Sequence, residues 1–132
     1  MIALLPMKGH SQRIPNKNIK KILNKPLFFF IADKLKKVEK FDSLVINTDS
    51  KIISELARER YGSWVKIINR PKHLQGDSIS MNSIIEHDIS ILGADNHFFQ
   101  THSTNPLLKK SSIINSVNEY LSFFKKDKID SL

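Results

Sequence analysis

Between Lys8 and Asn18 the chain gathers residue types that hold phosphate. Lys8, Arg13 and Lys17 bring cations; Ser11, Asn16 and Asn18 bring hydroxyl and amide donors. Gly9 offers a point where backbone can come close to a ligand. No carboxylate interrupts the segment. This mixture suits a triphosphate. It is not a P-loop, because no Gly-Lys-Ser/Thr follows a glycine at the required spacing. With one glycine it is no dinucleotide fingerprint either. The charge extends beyond the segment: Lys8, Arg13, Lys17, Lys20, Lys21 and Lys25 all precede the first acidic residue, Asp33. A charge run is ordinarily a solvated face. A long acid-free loop after a first strand instead asks for an anion.

Positioning such a loop takes a scaffold, and the pattern of apolar residues supplies one. Residues 2–5 form a short continuous apolar run, as in a strand buried on both faces, and Pro6 ends it. Residues 7–25 read as one long loop. Pro26 stands where a first-turn proline would, ahead of a helix over 27–38 with Leu27, Ile31, Leu35 and Val38 on one face. A second strand covers 44–46. Thr48, Asp49 and Ser50 are cap candidates for a helix running to Arg60, and Gly62 marks its end. A third strand follows at 65–68, a loop at 71–77, a helix at 80–92, a fourth strand at 97–100 and a helix within 107–124. Residues 129–132 read as the start of a fifth strand. This alternation predicts an α/β fold: a mainly parallel sheet, helices on both faces and right-handed crossovers. Ligands in such folds bind beyond the carboxyl ends of the strands. Segments 6–18, 47–50 and 100–106 leave those ends.

Composition narrows the classes. The chain has 132 residues, the size of one domain, and is 40% hydrophobic and 26% charged, as soluble proteins are. Its 21 basic and 13 acidic residues give a net charge of +8. With no cysteine, disulfide scaffolds, zinc–cysteine sites and cysteine nucleophiles are excluded. The longest apolar run, 27–32, is far short of the ~18 residues of a membrane span. The opening residues lack the basic stretch of a signal peptide, so a cytoplasmic location without membrane partners is expected. His73, His87, His97 and His102 have no metal-ligand spacing. Phe28, Phe29 and Phe30 read as core plus partner surface, and Trp64 as packing.

The ordered motifs resemble those of the acylneuraminate (CMP-acid-sugar) cytidylyltransferases. That family opens with a strand and then Pro-Ala-Arg-Gly-Gly-Ser-Lys-Arg-Ile-Pro-x-Lys-Asn-Ile. This chain has Ser11, then Arg13-Ile14-Pro15-Asn16-Lys17-Asn18-Ile19, then Asn24-Lys25-Pro26-Leu27. Phe41-Asp42 and Val45-Ile46-Asn47-Thr48-Asp49-Ser50 resemble its Phe-Asp and Val-Ser-Thr-Asp-Ser segments. Arg70-Pro71, Leu74 and Gly76-Asp77-Ser78 resemble Arg-Pro-x-x-Leu-Ala-x-Asp-x-Ser. Gln100 and Thr104-Asn105-Pro106-Leu107-Leu108 resemble Gln-Pro-Thr-Ser-Pro-Leu-Arg. Each match alone is weak; the ordered set spans the chain and is specific.

The resemblance implies a Rossmann-like nucleotide-diphospho-sugar transferase fold, with residues 1–132 as the N-terminal nucleotide-binding portion of a single cytidylyltransferase domain. It implies magnesium-dependent transfer of CMP from CTP to the anomeric hydroxyl of an acidic, sialic-acid-like sugar, with loss of pyrophosphate. Lys8 and Lys17 take the catalytic, triphosphate-contacting places; Lys8 stands for an arginine, so the charge stays but the bidentate fork goes. Ser11, Arg13, Asn18, Arg70, Asp77 and Ser80 take nucleotide-binding places, and Gln100 a sugar-binding one. For Ser80 a helix-cap role stands equally beside the ligand role, and for Asp49 a cap is preferred to a metal role. For Asp77, capping and loop bracing compete with ligand contact. His10 replaces a glycine, segment 100–106 is two residues longer than its counterpart, and Leu108 replaces an arginine. Family members run to roughly twice this length, as α/β domains of over ~200 residues do. Their metal carboxylates and dimer-forming segment fall beyond residue 132, so no metal ligand is expected in this stretch, and a homodimer is expected at full length. Two other readings stand beside this one: a CTP-binding remnant without turnover, and a basic nucleic-acid module. The latter lacks any helix-turn-helix, RNP or zinc pattern.

Overall fold

The computed structural model describes residues 1–9 and 14–125. The expected fifth strand at 129–132 lies outside them, as do Ser11, Arg13 and His10. Among the described residues, six strands and four α-helices follow in order. They are β1 (Ile2–Leu4), β2 (Lys21–Ile22), β3 (Lys25–Pro26), α1 (Leu27–Lys36), β4 (Ser43–Thr48), α2 (Lys51–Tyr61), β5 (Val65–Asn69), α3 (Met81–Leu92), β6 (Phe98–Gln100) and α4 (Lys110–Phe124). The main sheet is ordered β5-β4-β1-β6, and every pairing in it is parallel. The expected α/β architecture is therefore present.

Side chains of β1 and β4 alternate between two cores, as the two-residue period of a strand requires. Ala3, Leu44 and Ile46 face α1, α2 and α4, against Phe28, Ile31, Leu35, Ile53, Ala57, Ile113 and Val117. Ile2, Leu4 and Val45 face the other way with Ile68, covered by Ile85 and Leu92 of α3. Crossovers β1-α1-β4 and β4-α2-β5 move in one direction, so a fixed hand puts α1 and α2 on the same face. The return across the sheet from β5 to β6 puts α3 on the opposite face. The reversal of direction falls between β1 and β6, and such a switch point opens a crevice at the strands' carboxyl ends.

Within the expected loop, the described residues 14–25 are more structured than a loop. Lys17–Ile19 form a turn of 3₁₀ helix, and β2 and β3 form a small antiparallel hairpin. Its turn residues Leu23 and Asn24 both have positive φ, 50° and 61°. That geometry matches the twist of a two-residue hairpin, and asparagine tolerates it while leucine is strained. Two-residue strands with an atypical turn leave no readable alternation. Pro26 also differs from expectation: it ends β3 and sits just before α1, whose first residue is Leu27. Phe28 and Phe29 are core residues, while Phe30 carries Lys25 Nζ 4.8 Å above its ring.

One ion cluster ties the hairpin to two helices. Asp33 of α1 accepts two bonds of 2.8 Å from Arg60, one of 2.8 Å from Tyr61 Oη, and pairs with Lys25. Burial works against its charge, but the bonds from Arg60, Lys25 and Tyr61 outweigh it, and its pKa is held at about 2 against an ordinary 3.8. A carboxylate depressed in the folded state stabilises fully above its unfolded pKa and stops doing so as pH falls through its folded one. Urea midpoints should therefore decline as pH drops from about 3.8 towards about 2. In Asp33→Asn the pH 7 midpoint should be lower and that decline shallower. An unchanged acid slope would remove Asp33 from the response.

Candidate active site

The crevice at the switch point is a cleft of about 230 Å³, lined by Pro6, Met7, Lys8, Lys17, Asn18, Asp77, Met81, His102, Ser103 and Thr104. Backbone pairing continues past β1 on one side: Leu5 N donates to Val45 O and Met7 N to Asn47 O, both at 2.9 Å. On the other side Thr101 N donates to Leu4 O at 3.1 Å. These bonds deliver Lys8 and the 102–104 segment to the two sides of one cleft.

Asn18 joins the two sides. Its Nδ2 donates to Lys8 O at 2.8 Å and its Oδ1 accepts from Ser103 Oγ at 2.6 Å. Asn18 and Ser103 are both buried, so each bond satisfies a group that water cannot reach. Lys8 Nζ pairs with Asp77 Oδ1 at 2.6 Å, so the acid-free loop acquires a carboxylate from a distant segment. Lys17 makes no ion pair among the described residues and leaves its charge for the cleft.

The turn after β4 divides its work among three residues. Ser50 caps α2, its Oγ accepting from Ile53 N at 3.3 Å, and Thr48 Oγ1 accepts from Ser50 N at 3.2 Å. Asp49 is therefore not the cap. Its Oδ1 accepts from Gly9 N at 2.6 Å and braces the first loop. Gly9 lies so close to this turn that an added Cβ would stand 2.7 Å from Ser50 Cβ. Ser50 is held by its capping bonds and cannot yield freely. Gly9→Ala should lower unfolding stability by about 1–3 kcal/mol, the usual cost of overpacking. Denaturant unfolding checks this; an unchanged midpoint would mean the loop shifts at no cost.

The remaining expected site residues lie elsewhere. Arg70 is 4% exposed and lines a second cavity of about 330 Å³ with Thr48, Asp49, Ser50, Lys51, Ser54, Arg58, Asn69 and Gln75. Its Nε donates to Asn47 Oδ1 at 2.7 Å and its Nη2 to Asn47 O at 2.9 Å. Desolvation lowers its pKa from the ordinary arginine value, and Asp49 and Asp88 oppose that. Ser80 caps α3, its Oγ accepting from Ser83 N at 3.1 Å, and does not line the cleft. Gln100 faces a cavity of about 520 Å³ at the β6 edge, with Phe98, Ile85 and Tyr120. Thus Lys8, Lys17, Asn18 and Asp77 come together, while Arg70, Ser80 and Gln100 do not join them. Met81, His102, Ser103 and Thr104 were missed. The one available signal was that segment 100–106 leaves a strand's carboxyl end.

A family model described as Cytidylyltransferase matches residues 2–128. The chain belongs to this cytidylyltransferase family. Among curated relatives it is 29% identical over 124 residues to a pseudaminic acid cytidylyltransferase of Campylobacter jejuni, covering 91% of this chain and 53% of that protein. It is 29% identical over 125 residues to an N-acylneuraminate cytidylyltransferase of Escherichia coli, covering 95% of this chain and 29% of that one. The chain thus spans about half the length of the first relative and under a third of the second. A solved CMP-2-keto-3-deoxy-manno-octonic acid synthetase complexed with CTP superposes with a TM-score of 0.69 at 15% identity, over 92% of this chain and 47% of that one. A Leptospira borgpetersenii cytidylyltransferase gives 0.66 at 17%, over 92% and 48%. At those identities the likeness carries the cytidylyltransferase fold. No helix among the described residues is long and apolar enough to cross a membrane.

Magnesium needs several oxygen ligands, carboxylates foremost. Among the described residues the cleft's one carboxylate, Asp77, is engaged by Lys8, and no three His, Asp or Glu side chains are grouped to hold a metal. The described residues do not fit a magnesium site.

Proposed function

We propose that the chain is the nucleotide-binding part of a cytidylyltransferase that moves CMP from CTP to the anomeric hydroxyl of an acidic sugar. The observation that carries this reading is the convergence of Lys8, Lys17 and Asn18 on the switch-point cleft, in a chain of this family. In the reaction the sugar oxygen attacks the α-phosphorus in line. The bond to the bridging oxygen breaks, pyrophosphate leaves and the hydroxyl gives up its proton. Catalysis of this kind is positioning plus stabilisation of charge spreading over the phosphate oxygens. Lys17, which makes no ion pair among the described residues, supplies an ammonium for those oxygens. Lys8 supplies a second, oriented by Asp77 until the ligand competes for it. Asn18 acts by holding the two rims of the cleft at a fixed separation. Ser11 and Arg13 extend the same cationic loop, and Arg70 contacts the nucleotide from the neighbouring cavity.

Calorimetric titration of the chain with CTP, ATP and random-sequence DNA, each with and without Mg²⁺, tests this reading. Saturable binding that prefers CTP is expected. DNA binding with no nucleotide preference would sink it in favour of a nucleic-acid module, whose affinity would fall steeply with salt. Pyrophosphate release with a panel of acidic sugars then separates an active enzyme from a chain that binds CTP without turnover.

A further inference from the structure

Asp88 of α3 is 1% exposed and does not line the switch-point cleft. Its Oδ1 accepts from Asn47 Nδ2 at 2.6 Å, while Oδ2 is buried without a hydrogen-bond partner among the described residues. Asn47, fully buried at the carboxyl end of β4, presents its carbonyl oxygen to Arg70 Nε at 2.7 Å. A neutral amide thus lies between a buried guanidinium and a buried carboxylate. The acceptor on one side and the donor on the other fix which way the amide faces. Reversing it would set an NH₂ against Arg70 Nε–H and a carbonyl against the carboxylate, losing both bonds inside the protein, where unmade bonds are costly. Burial pushes the Asp88 pKa up, and the bond from Asn47 works against that.

We infer that Asp88 is a positioning residue: through Asn47 it orients Arg70 towards the cavity beside Asp49. The consequence is geometric. Bonds to Asn47 Oδ1 and to Asn47 O occupy Nε and Nη2, which sets the plane of the guanidinium and leaves Nη1 for a ligand. Asp49 shares that cavity and also braces Gly9, so Arg70 and the phosphate-type loop keep a common reference. Asp88 touches no substrate; it acts on the nucleotide only through Arg70. The inference rests on the nucleotide role proposed for Arg70.

The test compares Asp88→Leu, which removes the acceptor at similar volume, with Asp88→Asn, which keeps an oxygen for Asn47 Nδ2. Two readouts are taken on the 132-residue chain: the ¹⁵N–¹H resonance of Arg70 Nε, assigned by its loss in Arg70→Lys, and the affinity for CTP. Asp88→Leu should move or broaden the Arg70 signal and weaken CTP binding by roughly tenfold, the effect of about one well-placed hydrogen bond to a charged group. Asp88→Asn, which keeps an acceptor for Asn47 Nδ2, should leave the Arg70 signal in place and CTP affinity within about threefold of the parent. An unmoved Arg70 signal in Asp88→Leu, or equal losses in the two variants, overturns the proposal. If Asp88→Leu and Asp88→Ala both fail to fold while Asp88→Asn binds CTP normally, Asp88 belongs to folding alone and the proposal is again overturned. Unchanged CTP affinity in Arg70→Lys would instead remove the nucleotide role of Arg70, while the Arg70 resonance still reports on Asp88.

Discussion

Lys17→Ala is expected to weaken CTP binding by roughly 10- to 100-fold, since a hydrogen bond to a charged group contributes about 1.5–3 kcal/mol. The direction follows from the surroundings of the side chain. Lys17 lines the cleft and makes no ion pair among the described residues, so no internal partner shares its charge. Lys8, by contrast, already pairs with Asp77 at 2.6 Å, and a ligand must compete for it. Lys8→Ala should therefore cost less affinity than Lys17→Ala, although both remove one positive charge. Thermal stability of Lys17→Ala should stay close to the parent, because a half-exposed unpaired lysine contributes little to folding. Lys20→Ala, an exposed charge outside the cleft lining, is the control and should bind CTP normally. Calorimetry on the three variants decides: a Lys17→Ala affinity within threefold of the control would end the assignment of Lys17 to the triphosphate.

Asn18→Ala is expected to damage stability and binding together. It strands the Lys8 carbonyl and the buried Ser103 hydroxyl, and each unmet polar group costs about 1–3 kcal/mol, so a loss of about 2–6 kcal/mol follows. It also unties the loop after β1 from the loop after β6, whose tie spans 85 residues of sequence. The cleft then loses its fixed width, and CTP affinity should fall even under conditions where the protein is fully folded. Urea unfolding measures the first effect. Calorimetry well below the melting transition measures the second. A stability loss with intact CTP affinity would make Asn18 a structural residue only.

These expectations draw unequally on sequence and structure. The strand–helix alternation was legible because each main element carries several apolar residues at its own period, and the two faces of β1 and β4 show it directly: Ala3, Leu44 and Ile46 to one core, Ile2, Leu4 and Val45 to the other. The hairpin at residues 21–26 was not, because two-residue strands have no period and Leu23 is an unusual occupant of a positive-φ turn position. Capping was legible only as a set: three adjacent polar residues could each cap α2, and the backbone path alone gave the role to Ser50 and freed Asp49 for Gly9.

The sequence by itself determined the fold class, the family through its ordered motifs, and the location of surplus positive charge on the loop after β1. Those properties are local: periodicity, turn chemistry and composition are set by neighbours along the chain. The tertiary structure decided which candidates meet. It brought Asp77 to Lys8 across 69 residues, put Asn18 between Lys8 and Ser103, turned Gln100 to the sheet edge, and buried Arg70 behind Asn47 and Asp88. Such meetings depend on strand order, and strand order follows from the hand of each crossover and the face each helix covers. No spacing along the chain encodes them.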